Sequence, residues 1–372
     1  LMGVAFFVGA YTIGRRVVNT LGTELVHDPS VFTLQSSIIV LFFIGGSLLI
    51  GNLSGAPAST SMTAVGAIIG LGLATGELNR VVIGEILAWW ILSPIIGFWL
   101  AVMVGRYAYQ RLDRFVAIEQ SEGPLVVFEN VNVGVRPVLQ PDGPTMLSLE
   151  RSEIRVRPTL GPNTSRREFV GTVVLITIGC LMAFSSGTSN IANAIAPLVG
   201  SGALGMNPGI FIGCGAVAVG ALTIARRTME TLGNDITELP LTAAIVVAVL
   251  SSTIVIIMSL LGIPASFVVV ATVCIVGLGW GRSTSAVSVV DAVQGEVPPD
   301  VSLDALAEES ASPSVGESGT PPSRARLREQ KTNVRSDLFD PGTTVRVILM
   351  QNVVPLLATI GSYVTFLLLS VL

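Results

Sequence analysis

Residues 186 to 197 read Ser-Gly-Thr-Ser-Asn-Ile-Ala-Asn-Ala-Ile-Ala-Pro and lead into Gly200-Ser201-Gly202-Ala203-Leu204, so hydroxyl and carboxamide side chains stand inside otherwise apolar sequence. Thr188, Ser189, Asn190 and Asn193 are the candidate substrate-binding residues, because neutral donors and acceptors of this kind can hold a polar solute. An isolated polar group in hydrocarbon costs several kcal/mol, so a cluster persists only where it faces a cavity, a partner helix or a substrate. Ser, Thr, Gly and Ala also let helices approach closely, which is the competing explanation for any one of them. With a single histidine, His27, no paired carboxylates and no nucleotide-binding glycine loop, the chain offers little for catalysis, and we expect no enzyme and no cofactor.

Stepping outward, the elements that must carry this cluster are membrane spans. The 372 residues are 51% hydrophobic and 12% charged, against about 25% charged in soluble proteins. The apolar runs from Leu34 to Asn52, Val81 to Val104, Phe169 to Phe184, Pro208 to Ala225, Pro240 to Gly262 and Val345 to Leu372 each suit a hydrocarbon core about 30 Å thick. The partner implied is a lipid bilayer and not a nucleic acid. Leu1 to Gly14 reads as the tail of a further span, which predicts sequence upstream of Leu1. Cys180, Cys214 and Cys274 are too scattered for a metal site and are expected as packed thiols.

The chain repeats itself. Arg15-Arg16-Val17-Val18-Asn19-Thr20-Leu21-Gly22 matches Arg226-Arg227-Thr228-Met229-Glu230-Thr231-Leu232-Gly233, 211 positions on. Gly55-Ala56-Pro57-Ala58-Ser59 recurs as Gly262-Ile263-Pro264-Ala265-Ser266, and Gly70-Leu71-Gly72 as Gly277-Leu278-Gly279, both at a spacing of 207. Five crossings separate the two Arg pairs if residues 190 to 204 dip into the bilayer and return. An odd count inverts the second copy relative to the first, as in secondary transporters. The predicted fold is therefore an all-α polytopic membrane protein of two inverted-topology repeats with re-entrant or broken helices, the region from Ser186 to Leu204 being one of the breaks. The repeats are placed at 1–104 and 169–281, with a loop at 105–168 between them. An acidic, Pro- and Ser-rich disordered loop follows at 282–341, then a last helix at 342–372.

Arg106, Arg111, Arg114, Arg166, Arg167, Arg226, Arg227, Arg282 and Arg346 fall on one side of this scheme, against Arg15, Arg16 and Arg80 on the other. The richer face is expected to be cytoplasmic, which puts the protein in the plasma membrane with both long loops in the cytoplasm. In the first loop, Leu125 to Phe128 and Ile154 to Arg157 alternate in a way that fits either a small β-ribbon or a loose tether.

On these residues the chain resembles the inorganic phosphate transporter (PiT) family, which includes sulfate permeases. The family's Gly-Ala-Asn-Asp-Val-Ala-Asn-Ala signature is matched at Gly187, Asn193 and Ala194, with Ser189 in the Asn place and Asn190 in the Asp place. Its Pro-x-Ser-Thr-Thr-His element is matched by Pro57, Ser59 and Thr60, then Ser61, with Met62 for His; the second copy keeps Pro264 and Ser266. Trp90-Ile91-Leu92-Ser93-Pro94 is similar to its Trp-x-x-Ser-Pro span. The resemblance implies cation-coupled symport of phosphate by alternating access, with Na+ or H+ as coupling ion. Ser59, Thr60 and Ser266 are then candidate cation ligands, and Glu230 and Asp235 candidate entrance residues. A transporter of sulfate or another small oxyanion, and a degenerate homologue acting as sensor or scaffold, are the rival readings; a homodimer is the expected assembly if the chain has a protein partner.

Overall fold

The computed structural model describes residues 1–53, 58–116, 126–132, 154–160, 166–225, 240–283 and 341–371. Apolar chain in a bilayer must satisfy its backbone internally, and among the described residues it does so with helices. A helical run over 2–24 comprises α1 (Met2–Gly9), a π-helical turn (Ala10–Gly14), α2 (Arg15–Asn19) and a second π turn (Thr20–Glu24). There follow α3 (Leu34–Leu53), α4 (Thr60–Thr75), α5 (Arg80–Met103) and, after a π turn, α6 (Tyr109–Val116). The remainder is α7 (Arg166–Gly200), α8 (Met206–Gly220) with a π turn at Ala221–Ala225, α9 (Leu241–Leu260), α10 (Phe267–Ser283) and α11 (Pro341–Val371). Among the described residues six helices are long and apolar enough to cross a membrane, while α4 and α10 are shorter. At 16 and 17 residues these two reach only about 24–26 Å, less than a hydrocarbon core.

The duplication is visible in the elements themselves. α3 and α9 begin and end 207 residues apart, and α4 and α10 start 207 apart, each after a serine cap. The π turns at Ala10–Gly14 and Ala221–Ala225 keep the 211 spacing of the Arg pairs. One further pair escaped the sequence reading. α5 and α11 correspond at a spacing of 261, carrying Pro94 and Pro355 inside their helices. Gly70 of α4 lies against the Thr359 backbone of α11, and its counterpart Gly277 of α10 lies against the Phe98 backbone of α5. Each short helix thus packs along the long helix of the other copy.

The expected break within residues 186 to 204 is not there: α7 runs unbroken from Arg166 to Gly200, and the chain turns only afterwards, with Gly202 at φ 69°. The glycines that suggested a break are contact points instead. A Cβ on Gly187 would collide with the Phe6 carbonyl, one on Gly200 with the Gly22 carbonyl, and one on Gly9 with the Phe184 carbonyl. The run over 2–24 and the last half of α7 therefore touch backbone to backbone, which only glycine allows. Among the described residues six helices, α3 to α8, stand between the Arg pairs, with α5 and α6 in one continuous run, and α7 is one element where the sequence predicts a span plus a separate dip. The helix begun at Arg80 also continues through α6 to Val116, past the expected end of the first repeat at 104.

By itself, the unit from Asp113 to Thr177 contains a two-stranded antiparallel ribbon, β1 (Val126–Asn132) with β2 (Ile154–Leu160), in which Val126 faces Leu160 and Asn132 faces Ile154. Of the two readings of this loop, the ribbon holds. The expected disorder of the second loop falls almost wholly outside the described residues. Cys274 is buried and Cys180 and Cys214 half-buried, all three free.

If the glycine contacts hold the run over 2–24 to α7, Gly187→Ala should destabilise the folded protein by about 1–3 kcal/mol, since backbone cannot yield as a side chain can. Gly84→Ala, where a Cβ meets nothing within 4 Å, should leave stability unchanged or slightly raised. Unfolding midpoints of the two variants in the same detergent check this.

Candidate functional site

Two helix starts meet one helix face. Ser59 caps α4, its Oγ accepting from the Met62 N–H at 3.2 Å, and Ser266 caps α10, its Oγ accepting from the Val269 N–H at 3.4 Å. These are equivalent positions of the two copies, and a helix start presents unpaired N–H groups and the positive end of the helix dipole. Beside them, the face of α7 that carries Ser186, Ser189, Asn190 and Asn193 follows the three- and four-residue spacing of a helix.

The contacts are made by neutral groups. Thr60 Oγ1 donates to Asn190 Oδ1 at 2.8 Å, and Asn190 Nδ2 donates to Ser186 Oγ at 2.7 Å. Ser61 Oγ and Ser189 Oγ lie 3.0 Å apart, and each donates to the Ala265 carbonyl at 2.8 Å. Asn193 Nδ2 donates to Ser61 Oγ at 3.1 Å and reaches Thr60 Oγ1 at 3.4 Å. Its other end, Oδ1, is buried and has no partner. Ala265 itself is held in place because Trp90 Nε1 donates to the neighbouring Pro264 carbonyl at 2.7 Å, which pins the turn between α9 and α10. Trp90 opens the Trp-x-x-Ser-Pro element, whose role here is thus positional.

The sequence candidates therefore divide. Ser189, Asn190, Asn193 and Thr60 come together. Ser59 and Ser266 lie next to them but spend an oxygen lone pair on capping. Thr188 points elsewhere: its Oγ1 contacts the Ser185 carbonyl at 2.7 Å and Ser259 Oγ at 2.9 Å, toward α9. One residue from Ser189 is a turn of about 100°, enough to leave the shared face. Glu230 and Asp235 lie outside the described residues. Ser61, fully buried at the centre of the cluster, was not among the candidates; its place directly after Thr60 at a helix start was the available signal. Arg16 donates to the Leu260 carbonyl at 2.6 Å, closing the end of α9, and Arg15 stacks over Tyr11 at 4.1 Å. Among the described residues no three His, Cys, Asp or Glu side chains gather as a metal site would require. The arrangement can hold a small polar solute by hydrogen bonds, and the helix dipoles favour an anion.

Residues 1–294 match the model of the phosphate transporter family. The sulfate permease CysP of Bacillus subtilis is 28% identical over 285 residues, covering 76% of this chain and 66% of that protein. A protein assigned as a phosphate permease in Thermococcus kodakarensis is 28% identical over 328 residues, covering 77% of this chain and 80% of its own length. Among solved structures, the sodium-dependent phosphate transporter superposes with a TM-score of 0.60 at 16% identity, covering 100% of this chain and 89% of that one, which establishes a shared fold.

Because Ser61 and Ser189 share the Ala265 carbonyl, their removal should not be additive. Ser61→Ala and Ser189→Ala are expected to show a coupling of about 0.5–3 kcal/mol in a double-mutant cycle, whereas Ser61→Ala with Ser201→Ala should add. Chemical unfolding of the four proteins of each cycle measures it.

Proposed function

The chain belongs to the phosphate transporter family, and from that premise we propose that it carries inorganic phosphate across the plasma membrane as a cation-coupled secondary transporter. The observation that carries this reading is the meeting of the α4 and α10 starts with Ser189, Asn190 and Asn193 in a buried cluster whose hydrogen bonds are all neutral. Neutral ligation suits a carrier, since an anion paired with a fixed cation would be held too firmly to leave. Thr188 is dropped from the binding set, and Ser61 joins it. The two copies are proposed to be inverted, and exchange of their conformations would open the site alternately to either side. The Arg-rich side is the cytoplasmic one in this scheme. Glu230 and Asp235 stay as entrance candidates.

Sulfate is the second reading, favoured by the likeness to the sulfate permease. The coupling ion is proposed to be Na+ or H+, in keeping with the sodium-dependent transporter whose fold this chain shares. Thr60, with the free lone pairs of Ser59 and Ser266, would supply oxygens for a cation bound next to the anion.

Reconstituted in proteoliposomes, the protein should accumulate radiolabelled phosphate under an inward sodium or proton gradient; folded protein without uptake under either gradient overturns the proposal. Asn190→Asp adds a carboxylate that a cation must offset, so uptake should depend more steeply on external sodium or on pH than in the parent. Superimposable curves for the two proteins would take position 190 out of coupling.

A further inference from the structure

Within the cluster one atom is left over, and its chemistry is specific. Asn193 is 4% exposed, and its Oδ1 is a buried acceptor without a donor. The two ends of a carboxamide are alike in shape, so their assignment rests on the protons around them. Ser61 has one hydroxyl proton, and its shortest contact, 2.8 Å, is with the Ala265 carbonyl, which can only accept. The proton is spent there, or on Ser189 at 3.0 Å, and in both cases Ser61 Oγ can only accept from Asn193. Thr60 Oγ1 lies farther off, at 3.4 Å, so the contact with Ser61 at 3.1 Å decides the orientation. Asn193 therefore turns its NH2 toward Ser61, and the orphaned end is the oxygen. Asn190, by contrast, uses both ends, accepting from Thr60 and donating to Ser186.

A buried acceptor left unpaired costs about 1–3 kcal/mol, and what would pair it is a donor brought by the ligand. Resting on the reading of this site as an oxyanion site, we infer that Asn193 Oδ1 accepts a hydrogen bond from a protonated oxygen of the ligand and so selects hydrogen-bearing oxyanions over fully deprotonated ones. Phosphate and arsenate keep at least one proton at neutral pH; sulfate keeps none. A sulfate oxygen against the Asn193 oxygen would set two acceptors face to face. Size and shape cannot make this distinction, since all three anions are tetrahedral, and the helix starts of α4 and α10 serve all of them alike. A site built to pair with a ligand hydroxyl penalises the analogue that lacks it, because its own group stays buried and unpaired.

The test uses competition against radiolabelled phosphate uptake in proteoliposomes at pH 7.5. Arsenate, sulfate and monofluorophosphate are the competitors, the last having the size and charge of hydrogenphosphate without its proton. Arsenate should compete about as well as phosphate, and sulfate and monofluorophosphate at least about tenfold less well, equivalent to about 1.4 kcal/mol. In Asn193→Ala the ratio should collapse toward one as phosphate weakens and sulfate does not. If the variant fails to fold, monofluorophosphate against the parent protein decides alone. Equal competition by all three anions overturns the inference and leaves oxyanion transport standing; no oxyanion transported at all overturns the reading beneath it. If sodium alone, without any oxyanion, raises the melting temperature and Asn193→Ala removes that rise, the oxygen is a cation ligand and the inference falls.

Discussion

Hydrocarbon cannot hydrogen-bond, and this constraint accounts for most of the polar residues in the structure. Hydroxyls placed at depth are used to join helices: Ser37 donates to the Pro197 carbonyl at 2.7 Å, linking α3 to α7, and Ser362 donates to the Ala67 carbonyl at 2.8 Å, linking α11 to α4. Ser251 returns its proton to the Val247 carbonyl of its own helix at 2.6 Å. Arg15 Nε, Ser185 Oγ, Ser252 Oγ and Gln351 Nε2 are also buried without a partner among the described residues, but the Asn193 oxygen is the one that lies within the cluster around Ala265. The cluster around Ala265 differs from the structural pairs because it brings together groups from three segments, at the start of two helices, where N–H groups are also unpaired.

The same constraint explains the neutral character of the site. A carboxylate or ammonium group at this depth would be costly without a partner, and a permanent partner would compete with the solute. Helix starts offer positive potential without a charge that must be desolvated. They are fixed by serine caps at 59 and 266 and, for α10, by Trp90 reaching the Pro264 carbonyl. The geometry of the candidate site therefore rests on these helix ends.

Close backbone contact is the second requirement. Glycines at 9, 22, 187 and 200 let the run over 2–24 lie directly on α7, and those at 70 and 277 do the same for the two short helices on their long partners. The exchange of partners, α4 with α11 and α10 with α5, runs along the short helices through Gly66 and Gly70 and through Gly277. The candidate site lies where the starts of α4 and α10 meet α7.

Much of this was legible from the chain alone. Long apolar runs with few charges specify helices in lipid, and the repeated Gly-x-Pro-x-Ser and Arg-Arg elements announced the duplication, because a turn and its cap need particular residues at particular spacings. Ser189, Asn190 and Asn193 stand out by the rarity of such side chains in apolar sequence, whereas Thr60 is reached through the resemblance of residues 57 to 60 to a family element. What the chain could not reveal was how its glycines are used: the same residue breaks a helix or seats a neighbour, and only the presence of the Phe6 and Gly22 backbones decides for Gly187 and Gly200. Nor could it separate Thr188 from Ser189, or pair Trp90 with the Pro264 carbonyl 174 residues away. Local pattern determines which elements form, because it acts through neighbours in sequence; which hydroxyl meets which carbonyl depends on how helices rotate and cross, and that belongs to the tertiary structure.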